Sequence, residues 1–189
     1  MKGLTEVRWV GRGGQGAVTA AKMLAESAMS EGKFIQAFPE FGPERMGAPV
    51  KSFTRISSEP ITIHCQVSNP DISVLLDSTL LGVIDITEGV GKNGIIIVNT
   101  KDSPKGLRRK MNLEGRKLYT VDATGISMKA LGRNIPNMPM VGAVIKASGV
   151  TKLESAIRNF QQEFSGKFKE EIVRANIEAM RIAHDETKS

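Results

Sequence analysis

The chain is poor in the residue types on which most metal and redox chemistry depends. Of its 189 residues only Cys65 is a cysteine, and His64 and His184 are the two histidines. A lone cysteine excludes a disulfide within the chain and a cysteine-ligated cluster held by this chain alone. Two histidines so far apart leave little for a zinc site. Aromatic residues make up 5% of the chain, with Trp9 and Tyr119 single, so the stacking side chains of single-strand nucleic-acid binders are scarce. No apolar run approaches the roughly 20 residues of a membrane-spanning helix. The N-terminal Met1-Lys2-Gly3-Leu4-Thr5-Glu6 moves straight into a strand pattern, without the apolar core of a signal peptide. The expectation is a cytoplasmic chain with neither membrane nor nucleic acid as partner.

What is present is ordinary globular composition, 40% hydrophobic and 24% charged, with a net charge of +6 that favours acidic partners or ligands. Apolar runs and helical stretches alternate. Leu4–Val10, Phe34–Phe38, Ile72–Leu76, Ile95–Val98 and Leu118–Val121 read as strands, three of them continuously apolar as in strands buried on both faces. Ala17–Ser30 reads as a helix with Ala21, Leu24, Ala25 and Ala28 on one face. Val50–Ser57 and Ile61–Val67 suggest an antiparallel pair turning at Ser58-Glu59-Pro60. Met138–Ala147 predicts a helix. Thr151-Lys152-Leu153-Glu154 has the form of a capping box, and Gly166 separates a helix ending near Phe164 from one over Phe168–Ala183. The expected fold is α/β and Rossmann-like: a mainly parallel sheet flanked by helices, with an antiparallel strand pair and two C-terminal helices. We expect a single domain over 1–189, an α/β core at 1–150 followed by a helical extension at 151–189.

The most informative segment is Gly11-Arg12-Gly13-Gly14-Gln15-Gly16, between the first strand and the first helix. A glycine turn there lets backbone N–H groups face an anion at the positive end of a helix. Its spacing matches the dinucleotide fingerprint, which also asks for an acidic residue after the second strand. Glu40 stands near that place, but Pro39 precedes it and a turn-rich segment follows. A tight turn serving packing alone remains the alternative. The stiff loop Pro39–Pro49 holds Arg45, which either donates to the same anion or pairs with Glu44 on the surface.

No catalytic set emerges. Asp77, Asp85 and Asp122 follow strand or apolar runs, where helix capping is the common task. Cys65 sits in an apolar run and reads as a small core residue. The basic stretch Lys105, Arg108, Arg109, Lys110 and Arg116 reads as a solvated face or a docking surface for an acidic protein. A stand-alone NAD- or flavin-dependent enzyme and a purely structural subunit both stay open on these residues.

Several longer motifs are more specific. Gly11–Val18, Gln36-Ala37-Phe38-Pro39, Gly42–Val50, Asn69-Pro70-Asp71, Gly94–Thr100, Val121-Asp122-Ala123-Thr124 and Ile135–Met140 resemble the gamma subunits of pyruvate:ferredoxin oxidoreductase, over about Val7 to Arg181. The resemblance implies one subunit of a multisubunit enzyme. That enzyme converts a 2-oxoacid, coenzyme A and oxidised ferredoxin to acyl-coenzyme A, CO2 and reduced ferredoxin, or runs the reverse. Thiamine diphosphate, magnesium and iron–sulfur clusters would belong to the alpha, beta and ferredoxin-like delta partners. This chain would contribute no catalytic residue and bind no metal. By the same resemblance Gly11, Arg12, Gly13, Gly14, Gln15 and Gly16 face coenzyme A, with Arg45 and Asn137 beside them. The wording of the motifs is closer to the pyruvate branch, with a branched-chain 2-oxoacid enzyme as the alternative.

Overall fold

A computed structural model describes residues 3–40, 48–111, 113 and 115–189. The strands are β1 (Leu4–Arg12), β2 (Phe34–Pro39), β3 (Pro49–Ser57), β4 (Ile72–Leu75), β5 (Ile95–Asn99) and β6 (Lys117–Val121). They form a six-stranded sheet in the order β2-β3-β1-β4-β5-β6. The β1–β4, β4–β5 and β5–β6 pairs are parallel, while β3 runs antiparallel to both of its neighbours. Among the described residues the helices are α1 (Ala17–Met29), α2 (Pro104–Arg108), α3 (Ala123–Leu131), α4 (Asn137–Ser148), α5 (Leu153–Phe164) and α6 (Glu170–Glu186).

The two faces of the sheet are covered differently. On one, Val7, Trp9, Val74 and Ile97 join a core with α1, α3, α4, α5 and α6, in which Val173, Met180 and Ala183 of the last helix are buried. Small residues on α1, Ala20, Ala21, Ala25 and Ala28, let it lie close to the strands. The indole of Trp9 donates to Thr54 Oγ1 at 3.0 Å, and that hydroxyl donates to the Ala21 carbonyl at 2.8 Å, so the polar end of a buried aromatic is satisfied. On the opposite face Val10, Leu75, Ile96, Val98 and Leu118 pack beneath the short α2 and irregular segments. Two arginines bind those segments to the sheet. Arg8 donates to the Ile86 carbonyl at 2.8 Å. Arg55, 1% exposed, pairs with Glu6 at 2.7 Å. The C-terminal residues close one sheet edge, where Lys188 and Thr120 exchange backbone hydrogen bonds of 2.9 and 3.0 Å.

Three expectations need correction. Residues 61–67 form no strand; the carbonyls of Ile63 and Cys65 accept from the Arg55 guanidinium, at 3.3 and 2.7 Å, in place of a neighbouring strand. The antiparallel partners of β3 are β1 and β2. Cys65 is consequently exposed rather than a core residue. The capping box does not form either: α5 has Lys152 as its N-cap with no side-chain cap bond. Thr151 Oγ1 and the Lys152 N–H both donate to Glu31 Oε1, each at 2.7 Å, so a carboxylate from the far end of α1 does the capping.

Candidate functional site at the strand ends

In the sheet order, β1 connects through α1 to β2 on one side, whereas β4 connects to β5 on the other. The crevice between the C-terminal ends of β1 and β4 is therefore the topological switch point, where open α/β sheets bind ligands. The glycine turn after β1 lies there. Gly14 and Gly16 adopt positive φ, 89° and 78°, and the Gln15 N–H closes the turn onto the Arg12 carbonyl at 3.1 Å. Gly16 is the N-cap of α1, which has no side-chain cap and no acidic residue in its first turn. Among the described residues no side chain caps the first-turn N–H groups, which form the positive end of the helix dipole.

Asn137, the first residue of α4, packs directly on this turn. A Cβ on Gly16 would lie 2.9 Å from Asn137 Cγ and 3.0 Å from its Cβ. Asn137 is 8% exposed. Its Oδ1 accepts the Met138 N–H at 2.9 Å, and its Nδ2 has no acceptor among the described residues.

Across the crevice stands Asp77, at the end of β4. Gln15 bridges the two sides: its Oε1 accepts the Arg12 N–H at 2.7 Å and its Nε2 donates to Asp77 Oδ2 at 2.8 Å. The Arg12 guanidinium lies 3.3 Å from the same carboxylate and donates to Thr79 Oγ1 at 3.0 Å. Partial burial opposes ionisation of Asp77, but hydrogen bonds from Thr79 and Gln15 and the charge of Arg12 outweigh it and hold its pKa below the ordinary value. Asp77 is thus the residue that sequence reasoning placed in a capping role alone. It does cap the turn at Ser78–Leu80, through the Thr79 N–H at 2.9 Å, and it also anchors the glycine turn. A polar cavity of about 400 Å³ opens beside it, lined among others by Gln15, Thr79, Asn99, Thr124 and Asn134.

The similarity of the chain to known proteins covers the same framework. Residues 6–186 match the family model described as "Pyruvate ferredoxin/flavodoxin oxidoreductase". The chain belongs to this family. Among its relatives is the Pyrococcus furiosus protein named "Pyruvate/ketoisovalerate oxidoreductases common subunit gamma", 49% identical over 93% of this chain and 95% of that one. The crystal structure of a pyruvate oxidoreductase subunit, PORC, from Thermotoga maritima superposes with a TM-score of 0.86 at 41% identity, covering 99% of this chain and 98% of that one. The same fold recurs as part of a larger chain in a 2-oxoglutarate:ferredoxin oxidoreductase from Magnetococcus marinus. There the TM-score is 0.76 at 18% identity, and the match spans 98% of this chain but 31% of that one.

Within this member of the oxidoreductase family, the remaining singled-out residues are dispersed. Glu40 pairs with Lys51 at 3.7 Å and with Gln66, so it is engaged along β3. Arg45 and Glu44 lie outside the described residues. Asp85 accepts from the Thr87 N–H and hydroxyl at 2.8 and 2.6 Å, and Asp122 caps α3 through the Gly125 N–H at 2.8 Å. Lys105, Arg108, Arg109 and Lys110 are exposed, and Lys110 pairs with Asp102 at 2.8 Å.

Proposed function

We propose that this chain is the gamma subunit of a thiamine diphosphate-dependent pyruvate:ferredoxin oxidoreductase, and that its glycine turn binds a phosphate of coenzyme A. The observation that carries the second part is the uncapped start of α1 at the switch point, backed by the buried amide of Asn137. Coenzyme A carries several negative charges, which a helix N-terminus and arginine complement. In this reading Gly13, Gly14 and Gly16 bring backbone N–H groups to the phosphate. Gly11 and Gln15 shape the turn, and Asn137 donates its free Nδ2. Arg12, now held by Asp77 and Thr79, is placed at the rim to share its charge with the ligand, and Arg45 is a further cation for it. Asp77 is the acidic anchor that fixes the turn before the ligand arrives.

The redox and acyl chemistry falls to partner subunits. One cysteine, exposed in an irregular segment, does not supply the four thiolates of an iron–sulfur cluster. In the proposed assembly, as the family resemblance implies, thiamine diphosphate, magnesium and the clusters belong to alpha, beta and ferredoxin-like delta partners, with ferredoxin as electron carrier. Among the described residues no helix is long and apolar enough to cross a membrane, and we place the assembly in the cytoplasm.

A second reading, a branched-chain 2-oxoacid enzyme, is favoured by one observation: the Pyrococcus furiosus relative is named as common to pyruvate and ketoisovalerate oxidoreductases. A gamma chain shared in that way does not choose the acyl group. Reconstitution tests the assignment. Mixed with its alpha, beta and delta partners, the chain should restore coenzyme A-dependent reduction of ferredoxin by pyruvate. Tight binding of NAD or a flavin by the chain alone, with no requirement for partners, would show a stand-alone enzyme instead.

A further inference from the structure

The chain carries its charge unevenly. Residues 101–117 hold seven lysines and arginines against two carboxylates, Asp102 and Glu114. This short segment accounts for +5 of the chain's +6, so the other residues together are nearly neutral. The fold gathers the cations on one surface. Leu107 and Leu113 anchor the segment in the core beneath α2. Arg108 donates to the Arg116 carbonyl at 3.1 Å, which sets the start of β6 beside α2, and Lys110 pairs with Asp102 at 2.8 Å across the same helix. Lys101, Lys105, Arg108, Arg109, Lys110 and Lys117 are all exposed.

Pairing within the chain does not neutralise this surface. Among the described residues Lys101, Lys105, Arg109 and Lys117 make no ion pair. Like charges crowded in this way repel, and an opposing surface of carboxylates would relieve them. The make-up of the surface says how such a partner binds. Permanent subunit seams are large and apolar at their centre. Here the large apolar side chains of the segment, Leu107 and Leu113, are buried beneath the cations. Exposed lysine and arginine instead suit a brief encounter steered by charge. We propose that the α2 surface is the docking site of a small acidic protein that binds reversibly. On the reading of the chain as a subunit of a pyruvate:ferredoxin oxidoreductase, on which this inference rests, that protein is the ferredoxin the complex reduces.

The test uses the reconstituted complex and two electron acceptors: an acidic ferredoxin, and methyl viologen, which takes electrons without a protein interface. Lys105→Glu with Arg109→Glu reverses two charges that hold no ion pair in the fold. At low ionic strength this double variant should lower kcat/KM for ferredoxin roughly tenfold through lost steering. The difference from the unaltered complex should shrink as added salt screens the charges. The rate with methyl viologen should not fall, and the KM for coenzyme A should stay unchanged. Lys105→Ala with Arg109→Ala should give a smaller loss in the same direction. If the unaltered complex is active and both variants reduce ferredoxin as well as it does, the docking proposal falls and the functional reading stands. If the unaltered complex reduces neither acceptor with pyruvate, both fall. Equal losses with the two acceptors, or variants that fail to assemble, would mark a structural role or a subunit seam and overturn the proposal. Weaker binding of a DNA duplex with unchanged ferredoxin kinetics would show a nucleic-acid surface in its place.

Discussion

Gly16 and Asn137 touch so closely that no side chain fits between them: a Cβ on Gly16 would come within 2.9 Å of Asn137 Cγ. This contact joins the start of α1 to the start of α4 and holds the buried amide beside the helix N-terminus. Gly16→Ala combines that clash with a φ of 78°, which an L side chain adopts with strain. It should destabilise the chain by about 1–3 kcal/mol. Gly14 has a φ of 89° but open space around it, so Gly14→Ala should cost about 1–2 kcal/mol from backbone strain alone. Urea denaturation of the two variants checks the order.

Arg55 is the second structural commitment. Arg55→Ala removes the partner of Glu6 and strips the Ile63 and Cys65 carbonyls of their donor. A loss of about 3–5 kcal/mol is expected, since breaking a buried pair leaves its partners uncompensated. Limited proteolysis should then cut within residues 61–67 sooner than in the unaltered chain. Unchanged cleavage and stability would show that the segment is held by something else.

Glu31 gives a pH dependence with a definite sign. Its burial opposes ionisation, but hydrogen bonds from the Lys152 N–H, Thr151 and Ser155 together with the charge of Lys33 overcome it and lower its pKa. A depressed carboxylate stabilises the fold above its unfolded value and loses that contribution as pH falls through the folded one. Glu31→Gln should cost about 1 kcal/mol at neutral pH, the scale of a lost cap. The difference from the unaltered chain should shrink as pH falls below 4.5, the ordinary glutamate value. Urea midpoints across that range read it directly.

Cys65 should react with a thiol reagent in the native chain at nearly the rate seen in denaturant, because it is exposed on an irregular segment. Strong protection of the native thiol would contradict the placement of that segment.

How much of this was legible in the sequence varied with the range of the interaction. The strands ending at Arg12, Leu75, Asn99 and Val121 and the glycine turn are local patterns, and they appear within a few residues of where the apolar runs place them. The segment Ile61–Val67 carries a strand-like apolar pattern, but its carbonyls are taken by Arg55, a competitor no local window shows. The Thr151 box fails for the same reason, since Glu31 reaches its donors from 120 residues away. Asp77 was visible as an aspartate after a buried strand. Its second role required knowing that β4 lies next to β1, which is a property of the sheet order alone. Asn137 was found only through family resemblance, and the structure gives it a physical reason in its contact with Gly16.

The most direct test is the KM for coenzyme A of the reconstituted complex carrying Arg12→Ala and Gly16→Ala together. A phosphate site at the glycine turn predicts a rise of roughly tenfold or more, the scale of one charge-assisted hydrogen bond or beyond, with the KM for pyruvate unchanged. An assembled double variant with an unaltered KM for coenzyme A would contradict the account.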